Sequence, residues 1–274
     1  MPRAGKTSTI RVLATLLKPS RGAAYVCGLN VATRPQAVRR HIGYVPDFFG
    51  VYEDLTVTEY LHFFAAAHRI DRWHRPAIVN DVLALTDLAG KADAQVDDLS
   101  RGMKQRLGIA RVLLHDPEVL LLDEPASGLD PRARIELREL LKELRGMGKT
   151  ILLSSHILHE LSQLCTRIGI IEAGRLVAEG SLTEIYRQLG LQRVVHVQVA
   201  NPSPALVDGI RALAGVASAE LDTDRIAVRV HEDRLAVEDL LDGIHGLGAR
   251  IQMFQPQAMD METAFMKLTR GTVQ

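Results

Sequence analysis

The chain has 274 residues and carries 33 Lys and Arg against 33 Asp and Glu, so its formal net charge is zero. The length suits a core domain of about 190 residues with a smaller appendage. The charge balance disfavours nucleic-acid binding, because there is no overall basic field to attract a phosphate backbone. The apolar runs are far shorter than the roughly 20 residues that cross a bilayer, and the sequence shows no signal peptide. We therefore expect a cytoplasmic chain, and we expect Cys27 and Cys165, which lack CxxC spacing, to be reduced thiols in the core.

The first motif is Gly5-Lys6-Thr7-Ser8. It matches the end of a phosphate-binding GxxxxGK[ST] loop, whose first Gly would fall before Met1. Gly5 lets the backbone approach a phosphate, Lys6 can reach the β- and γ-phosphates, and the Thr7 hydroxyl suits Mg²⁺. The following apolar pattern predicts a helix over residues 6–17 whose positive end faces the phosphates. An ordinary N-terminal helix is the alternative for this segment.

The next segments predict a strand over 23–27, a helical stretch over 35–40 and a strand over 42–46. An aromatic loop follows from Asp47, and Thr56 and Glu59 form a capping-box pattern that opens a helix to about residue 68. A further amphipathic helix is predicted over 76–88. Helices placed between strands in this way indicate a helical subdomain at about residues 50–115.

Residues 98–106 contain Ser100, a natural helix N-cap, and Gly102, which leaves the first turn open for an anion to approach its N–H groups. A routine helix start is the alternative. The helix is predicted to continue to about residue 114.

An acidic pair, Asp123 and Glu124, follows the apolar run of residues 119–122. Such a run predicts a strand buried on both faces, and ligands bind at the carboxyl edge of such sheets. The first carboxylate suits a metal shell and the second an attacking water, although a solvated turn would also explain the pair. After a helix over 132–147, a second buried strand over 150–154 brings Ser155 and His156 to the same edge.

Residues 168–178 predict a hairpin, and from residue 193 the pattern changes to strand, helix, strand, strand, helix, strand. This βαββαβ order predicts a ferredoxin-like unit. It carries no clustered catalytic residues, so we interpret it as a docking or regulatory module.

Taken in order, AGKTS, LSRGMKQR, VLLLDEP, SGLD and SSH resemble the ATP-binding cassette (ABC) transporter ATPases over residues 1–190. The resemblance implies an α/β fold: a P-loop NTPase core with an inserted helical subdomain over residues 1–190 and an α+β accessory domain over 191–274. The GYVPDFFGVYEDLTV stretch and the C-terminal unit, ending in a METAFMKLTR-like helix, are more similar to type-2 exporters than to importers.

The resemblance also implies the roles of individual residues toward ATP and Mg²⁺. Thr7 and Asp123 would hold the metal, Glu124 would polarise the attacking water, and His156 would contact the γ-phosphate. Asp47 stands where the family usually has a Gln that senses Mg²⁺ and the water. The residues implied at the triphosphate are Gly5, Lys6, Thr7 and Ser8; those implied to complete the site of a second ATP-binding subunit are Ser100, Gly102 and the SGLD segment ending at Asp130.

The function implied is that of an ATP-hydrolysing subunit that powers export of an unspecified substrate through a membrane-spanning permease. The chain would lie on the inner face of the cell membrane, and the permease would dock near Phe48, Phe49 and Tyr52. Two alternatives remain. One is a soluble ABC-type ATPase acting on ribosomes or DNA, although such proteins usually carry two cassettes or long coiled-coil arms. The other is a truncated remnant that does not hydrolyse ATP, favoured only by a chain that starts inside the phosphate loop.

Overall fold

The computed structural model describes residues 5–47, 50, 54–222, 224–231, 233–257 and 261–268. Gly5–Ile157 forms one compact unit, and the described residues from Leu158 onward form another. The assignment of an ATP-binding domain to residues 1–190 and an accessory domain to 191–274 stays a prediction. The helices are α1 (Lys6–Leu13), α2 (Pro35–His41), α3 (Val57–Ala67), α4 (Arg75–Leu85), α5 (Arg101–Leu113), α6 (Pro131–Gly146), α7 (Leu158–Leu164), α8 (Leu182–Gln188), α9 (Pro204–Arg211), α10 (Val237–Gly246) and α11 (Met261–Leu268). The strands are β1 (Tyr25–Val26), β2 (Leu29–Asn30), β3 (Ile42–Val45), β4 (Val119–Asp123), β5 (Thr150–Ser154), β6 (Ile168–Glu172), β7 (Arg175–Gly180), β8 (Gln192–Val199), β9 (Val216–Asp222), β10 (Arg225–His231) and β11 (Ile251–Pro256).

A parallel sheet in the order β3-β4-β5 is the centre of the first unit. Its middle strand, β4, buries Leu120, Leu121 and Leu122 almost completely. Successive side chains of a strand point to opposite faces, so burial of all three means that helices cover both faces, as predicted. On one face Leu121 joins a core formed by α1, the β1–β2 hairpin and α2. On β3, Gly43 permits close packing, because a Cβ there would lie 2.9 Å from Leu120 Cδ2 and 3.0 Å from Val112 Cβ.

The prediction that β5 is a buried strand is wrong in part. The strand has the predicted bounds, but Thr150 is exposed and Leu152 is 41% exposed. Within the part of the chain that the structure describes, β5 pairs only with β4 and is an edge of its sheet. Thr150 and Leu152 point to the same face of the sheet, so that face is left open at this edge strand.

Helices α3, α4 and α5 lie between β3 and β4 in the sequence, and they pack on one another. The Thr56 side chain accepts a hydrogen bond from the Glu59 N–H, and the Glu59 carboxylate accepts one from the Thr56 N–H, so the predicted capping box is confirmed. Tyr60 and Leu61 of α3 and Leu107 and Ile109 of α5 are fully buried. This packing agrees with an inserted helical group.

The second unit contains an antiparallel sheet in the order β11-β8-β10-β9. With α9 and α10 as the connecting helices, it has the predicted ferredoxin-like βαββαβ order. Val195, Val197 and Val199 alternate with less buried neighbours along β8 and join side chains of α9 and α10 in one core. That alternation is the period-2 pattern of a strand with one buried face.

The remainder of the second unit is organised around the antiparallel hairpin β6–β7, which confirms the predicted hairpin. Ile185 and Tyr186 of α8 pack with Ile168 and Ile170 of β6, and α11 adds Met261 and Ala264 to the same core. Among the described residues, no helix combines the length and the apolar character that crossing a bilayer requires.

The prediction that both cysteines are core thiols is wrong for Cys27. Neither cysteine forms a disulfide, but Cys27 is exposed and Cys165 is partly buried. Cys27 lies in the two-residue turn between β1 and β2. A hairpin turn lies at the surface, so Cys27 is not buried in the core, and the missing CxxC spacing carried no information about its burial.

Candidate active site

The site starts where β4 and β5 end side by side. Asp123 pairs in register with Ser154, and both are almost fully buried. The Ser154 hydroxyl donates a hydrogen bond to Asp123 Oδ1 at 2.6 Å and accepts one from the Glu124 N–H at 3.0 Å. A buried carboxylate needs such partners, so Ser154 fixes the position of Asp123 and of the backbone that carries Glu124.

The amino end of α1 contacts this acidic pair. Lys6 Nζ lies 3.3 Å from Glu124 Oε1 and donates a hydrogen bond to the Ser155 carbonyl at 3.0 Å. The Thr7 hydroxyl donates to Asp123 Oδ1 at 3.2 Å. Gly5 is the N-cap, has a φ of 98° and caps the helix with no side-chain hydrogen bond. A helix start of this kind offers backbone N–H groups and a partial positive charge to an anion.

His156 completes the cluster on the other side of Glu124. Its Nδ1 lies 2.7 Å from Glu124 Oε2, and its backbone N–H donates to the same oxygen at 3.3 Å. Glu124 itself has a φ of 51°, in the left-handed region that side chains other than glycine rarely occupy. One carboxylate is therefore held between an ammonium group and an imidazole, which is an arrangement able to position a water and a phosphate.

The Asp123 and Asp47 carboxylates also influence the pKa of Tyr44 on β3. Burial raises the pKa of the Tyr44 phenol, a hydrogen bond with Arg11 opposes the rise, and the Asp123 and Asp47 carboxylates add to it. Asp47 is exposed just beyond the end of β3. The ends of two neighbouring strands, β3 and β4, thus contribute negative charge to one region of the sheet.

A second group of predicted residues lies at the amino ends of α5 and α6. The Ser100 hydroxyl accepts a hydrogen bond from the Met103 N–H at 3.3 Å, and Asp130 Oδ1 accepts one from the Ala133 N–H at 2.9 Å. A Cβ on Gly102 would lie 2.7 Å from Ala133 Cβ, so the two helix starts are close-packed. The predicted cap at Ser100 is observed, and the structure adds a cap at Asp130 that the sequence analysis did not predict.

The structure therefore brings Lys6, Thr7, Asp123, Glu124 and His156 into direct contact, next to Gly5, and these five residues are called the Lys6 cluster below. Ser8 follows in the first turn of α1 and is exposed. The predicted aromatic contacts at Phe48, Phe49 and Tyr52 lie outside the described residues.

Sequence reasoning did not identify three contributors: the Ser154 hydroxyl, the Ser155 carbonyl and Tyr44. For Ser154 a signal existed, because it is the last residue of the strand that neighbours Asp123. The carbonyl gives no sequence signal, since every residue has one.

Comparisons of this chain with known proteins all indicate the same family. Residues 3–127 match the family described as ABC transporter. The chain is 37% identical over 267 residues to a Nod factor export ATP-binding protein I of Cupriavidus metallidurans, covering 97% of this chain and 85% of that protein. It is 35% identical over 268 residues to the protein of the same name from Rhizobium meliloti, covering 97% and 77%. It matches another from Burkholderia pseudomallei at 44% identity, where the alignment spans 59% of that protein's length.

Solved structures give the same answer for the fold. One described as the ATP binding subunit of an ABC transporter aligns with a TM-score of 0.61 at 35% identity, over 69% of this chain and 78% of that one. Another, cbiO1 from Clostridium perfringens, described as part of the ABC transporter complex cbiONQ, aligns with a TM-score of 0.60 at 28% identity, over 67% and 75%. The contacts of the Lys6 cluster lie in an α/β core that shares the fold of these proteins, and the chain belongs to the ATP-binding subunits of ABC transporters, a family of ATPases.

Proposed function

We propose that this chain binds ATP with Mg²⁺ at the Lys6 cluster, hydrolyses it and so powers export through a separate membrane-spanning permease. The observation that carries the proposal is the convergence of Lys6 and His156 on the Glu124 carboxylate, next to the contact between Thr7 and Asp123. Each of these groups has a different chemical task in phosphoryl transfer. The names of the relatives support an exporter, since they are ATP-binding proteins of Nod factor export.

The triphosphate is held by Gly5, Lys6, Thr7 and Ser8. The Lys6 ammonium exchanges the Glu124 carboxylate for phosphate oxygens, and the first N–H groups of α1 donate to the same phosphates. Because the exchange frees Glu124 from its ion pair, nucleotide binding and release of the carboxylate are one event. Glu124 is then available as a base.

Thr7 and Asp123 fit the metal. Their oxygens lie 3.2 Å apart, and hydroxyl and carboxylate oxygens are the ligands that Mg²⁺ prefers. Bound there, Mg²⁺ would neutralise charge on the β- and γ-phosphates. Ser154 supports the site by holding the buried Asp123 carboxylate in one orientation.

Glu124 accepts the proton of the attacking water while the water oxygen bonds to the γ-phosphorus and the bond to the bridging oxygen breaks. The products are ADP and inorganic phosphate, and the electron pair of the broken bond remains on the ADP oxygen. His156 orients Glu124 through its contact at 2.7 Å and is close enough to that carboxylate to contact the γ-phosphate. Asp47 contributes negative charge near the water at the edge of this site.

The amino ends of α5 and α6 serve a second ATP-binding subunit, identical or different. Ser100, Gly102 and the segment ending at Asp130 offer helix-start N–H groups to a γ-phosphate held by that subunit. Closure around two nucleotides then moves the helical group of residues 50–115, which a permease contacts from the cytoplasmic side of the membrane. The domain of residues 1–190 performs this cycle, and residues 191–274 form an accessory domain.

The test is Glu124→Gln in the full chain. Loss of the base should lower the ATP hydrolysis rate at least about 100-fold, because general-base catalysis contributes that much or more. Binding of ATP with Mg²⁺ should remain, since the amide leaves Lys6 and Thr7 free for the phosphates. Phosphate release measures hydrolysis, and equilibrium titration with a fluorescent ATP analogue measures binding.

Glu143→Gln is the matched control, because Glu143 is exposed on α6 and the charge change is the same. It should leave both quantities unchanged. If Glu124→Gln hydrolysed ATP at the rate of the unmodified chain, the proposed base would be wrong.

A further inference from the structure

A second cluster of ligand-type side chains lies in the first unit, away from the proposed ATP site. Cys27, His41 and Glu118 each offer one ligand atom, and these atoms all lie within 4.8 Å of one another. His41 Nδ1 is 2.7 Å from Glu118 Oε1, and the Cys27 thiol is 3.9 Å from Glu118 Oε2. No part of the proposed ATPase mechanism uses these three residues.

The fold places this cluster at the amino ends of the sheet strands, whereas the Lys6 cluster lies at their carboxyl ends. His41 immediately precedes β3 and Glu118 immediately precedes β4, and the register pairs Ile42 with Val119. The two ligands therefore start neighbouring strands at their amino ends, whereas Asp123 and Ser154 end strands at their carboxyl ends. Occupation of one site does not compete sterically with occupation of the other.

Three different elements hold the ligands in place. Cys27 and Gly28 form the two-residue turn of the β1–β2 hairpin with φ values of 48° and 74°, as in a type I′ turn. The hairpin and α2, which ends at His41, pack together in one core through Val26, Val31 and Val38. The Glu118 carbonyl accepts a hydrogen bond from the Thr150 N–H, which fixes its backbone beside β5.

The donor set identifies the class of cation. A thiolate, an imidazole and a carboxylate are together typical of Zn²⁺, while Mg²⁺ and Ca²⁺ prefer oxygen ligands only. Three protein ligands leave one position of a tetrahedral site for water, and Cys27 and Glu118 are both accessible to solvent. Coordination requires His41 and Glu118 to exchange their mutual hydrogen bond for the metal and releases the Cys27 thiol proton to solvent.

We propose that Cys27, His41 and Glu118 form a Zn²⁺ site that joins the β1–β2 hairpin to the amino ends of β3 and β4. Because the three ligands come from separate elements, the bound ion would act as a cross-link and stabilise the first unit.

The test is titration of the full chain with Co²⁺, a spectroscopic substitute for Zn²⁺, followed by displacement with Zn²⁺. One equivalent should give the near-ultraviolet absorption of a thiolate bound to cobalt, and Zn²⁺ should remove it. Cys27→Asn should abolish the band and still fold, because Asn tolerates the positive φ of this turn. Cys165→Ser removes the chain's other thiol and should keep the band.

His41→Gln and Glu118→Gln test the remaining ligands by Zn²⁺ affinity and melting temperature. Each should weaken binding by more than about tenfold, the smallest cost of losing even an outer partner of a metal ligand. Each should also remove the Zn²⁺-induced rise in melting temperature. Absence of the band in the unmodified chain, a band that survives Cys27→Asn, or Zn²⁺ affinity unchanged in both Gln variants would overturn the proposal. The melting temperature of each variant without metal is the baseline from which its Zn²⁺-induced rise is measured.

Discussion

At the scale of single residues, the position of Asp123 depends on the Ser154 hydroxyl, to which the sequence analysis assigned no role. Asp123 is 2% exposed, and Ser154 donates to it while also accepting from the Glu124 N–H. Removing the hydroxyl leaves a buried carboxylate oxygen and a backbone N–H with fewer partners. The cost of an unsatisfied buried polar group exceeds the gain from an ordinary hydrogen bond.

Ser154→Ala should therefore lower the free energy of unfolding by about 1–3 kcal/mol. Urea denaturation of the full chain, followed by circular dichroism, measures this change. Ser20→Ala, at an exposed position of the same unit, should change stability by less than about 0.5 kcal/mol. Equal stability of the two variants would show that Ser154 does not support the carboxylate.

At the scale of elements, the starts of α5 and α6 are coupled by close contact. The two helices begin at Arg101 and Pro131 and are capped by Ser100 and Asp130. A Cβ on Gly102 would approach Ala133 Cβ to 2.7 Å, nearer than real Cβ contacts allow. Glycine at this position thus sets how closely the two proposed phosphate-facing helix starts approach.

Gly102→Ala should destabilise the unit through this contact, partly offset by the better helix propensity of Ala. A double-mutant cycle with Ala133→Gly, which removes the opposing Cβ, separates the cost of the contact from the gain in helix propensity. We expect Gly102→Ala to be less costly in the Ala133→Gly background by about 1 kcal/mol or more, measured by urea denaturation.

Gly146→Ala is the control, since a Cβ there meets nothing within 4 Å. It should be neutral or stabilise the chain by up to about 1 kcal/mol. Additive effects of Gly102→Ala and Ala133→Gly would contradict the proposed contact.

At the scale of the whole molecule, the last described helix, α11, packs with elements that precede the ferredoxin-like segment in the chain. It packs with α7, α8 and the β6–β7 hairpin, where Ala264 is fully buried near Ile185 and Tyr186. The second unit therefore joins residues on both sides of the βαββαβ segment, and α11 closes it. A chain segment far along the sequence supplies part of the core for residues near 185.

Ala264→Asp should disrupt this core, because it buries a charge with no partner, and should cost about 3 kcal/mol or more. Hydrogen exchange of peptides covering α8 should become faster. Met266→Asp, at a position that is 73% exposed, should leave that exchange unchanged. The same exchange rates in both variants would show that α11 does not stabilise α8.

The sequence by itself determined the local features of this protein. The capping box at Thr56, the cap at Ser100, the buried run of β4 and the strand β8 depend on neighbours within a few residues, so each was predicted correctly. The ordered motifs likewise indicated the family.

Only the tertiary structure decided which side chains meet. The Ser154 hydrogen bond to Asp123, the exposure of Leu152 and the cluster of Cys27, His41 and Glu118 arise from strand order, register and sheet edges. These features join residues that are far apart in the chain. Local pattern carries no information about such pairs, because their proximity is set by the packing of the complete fold.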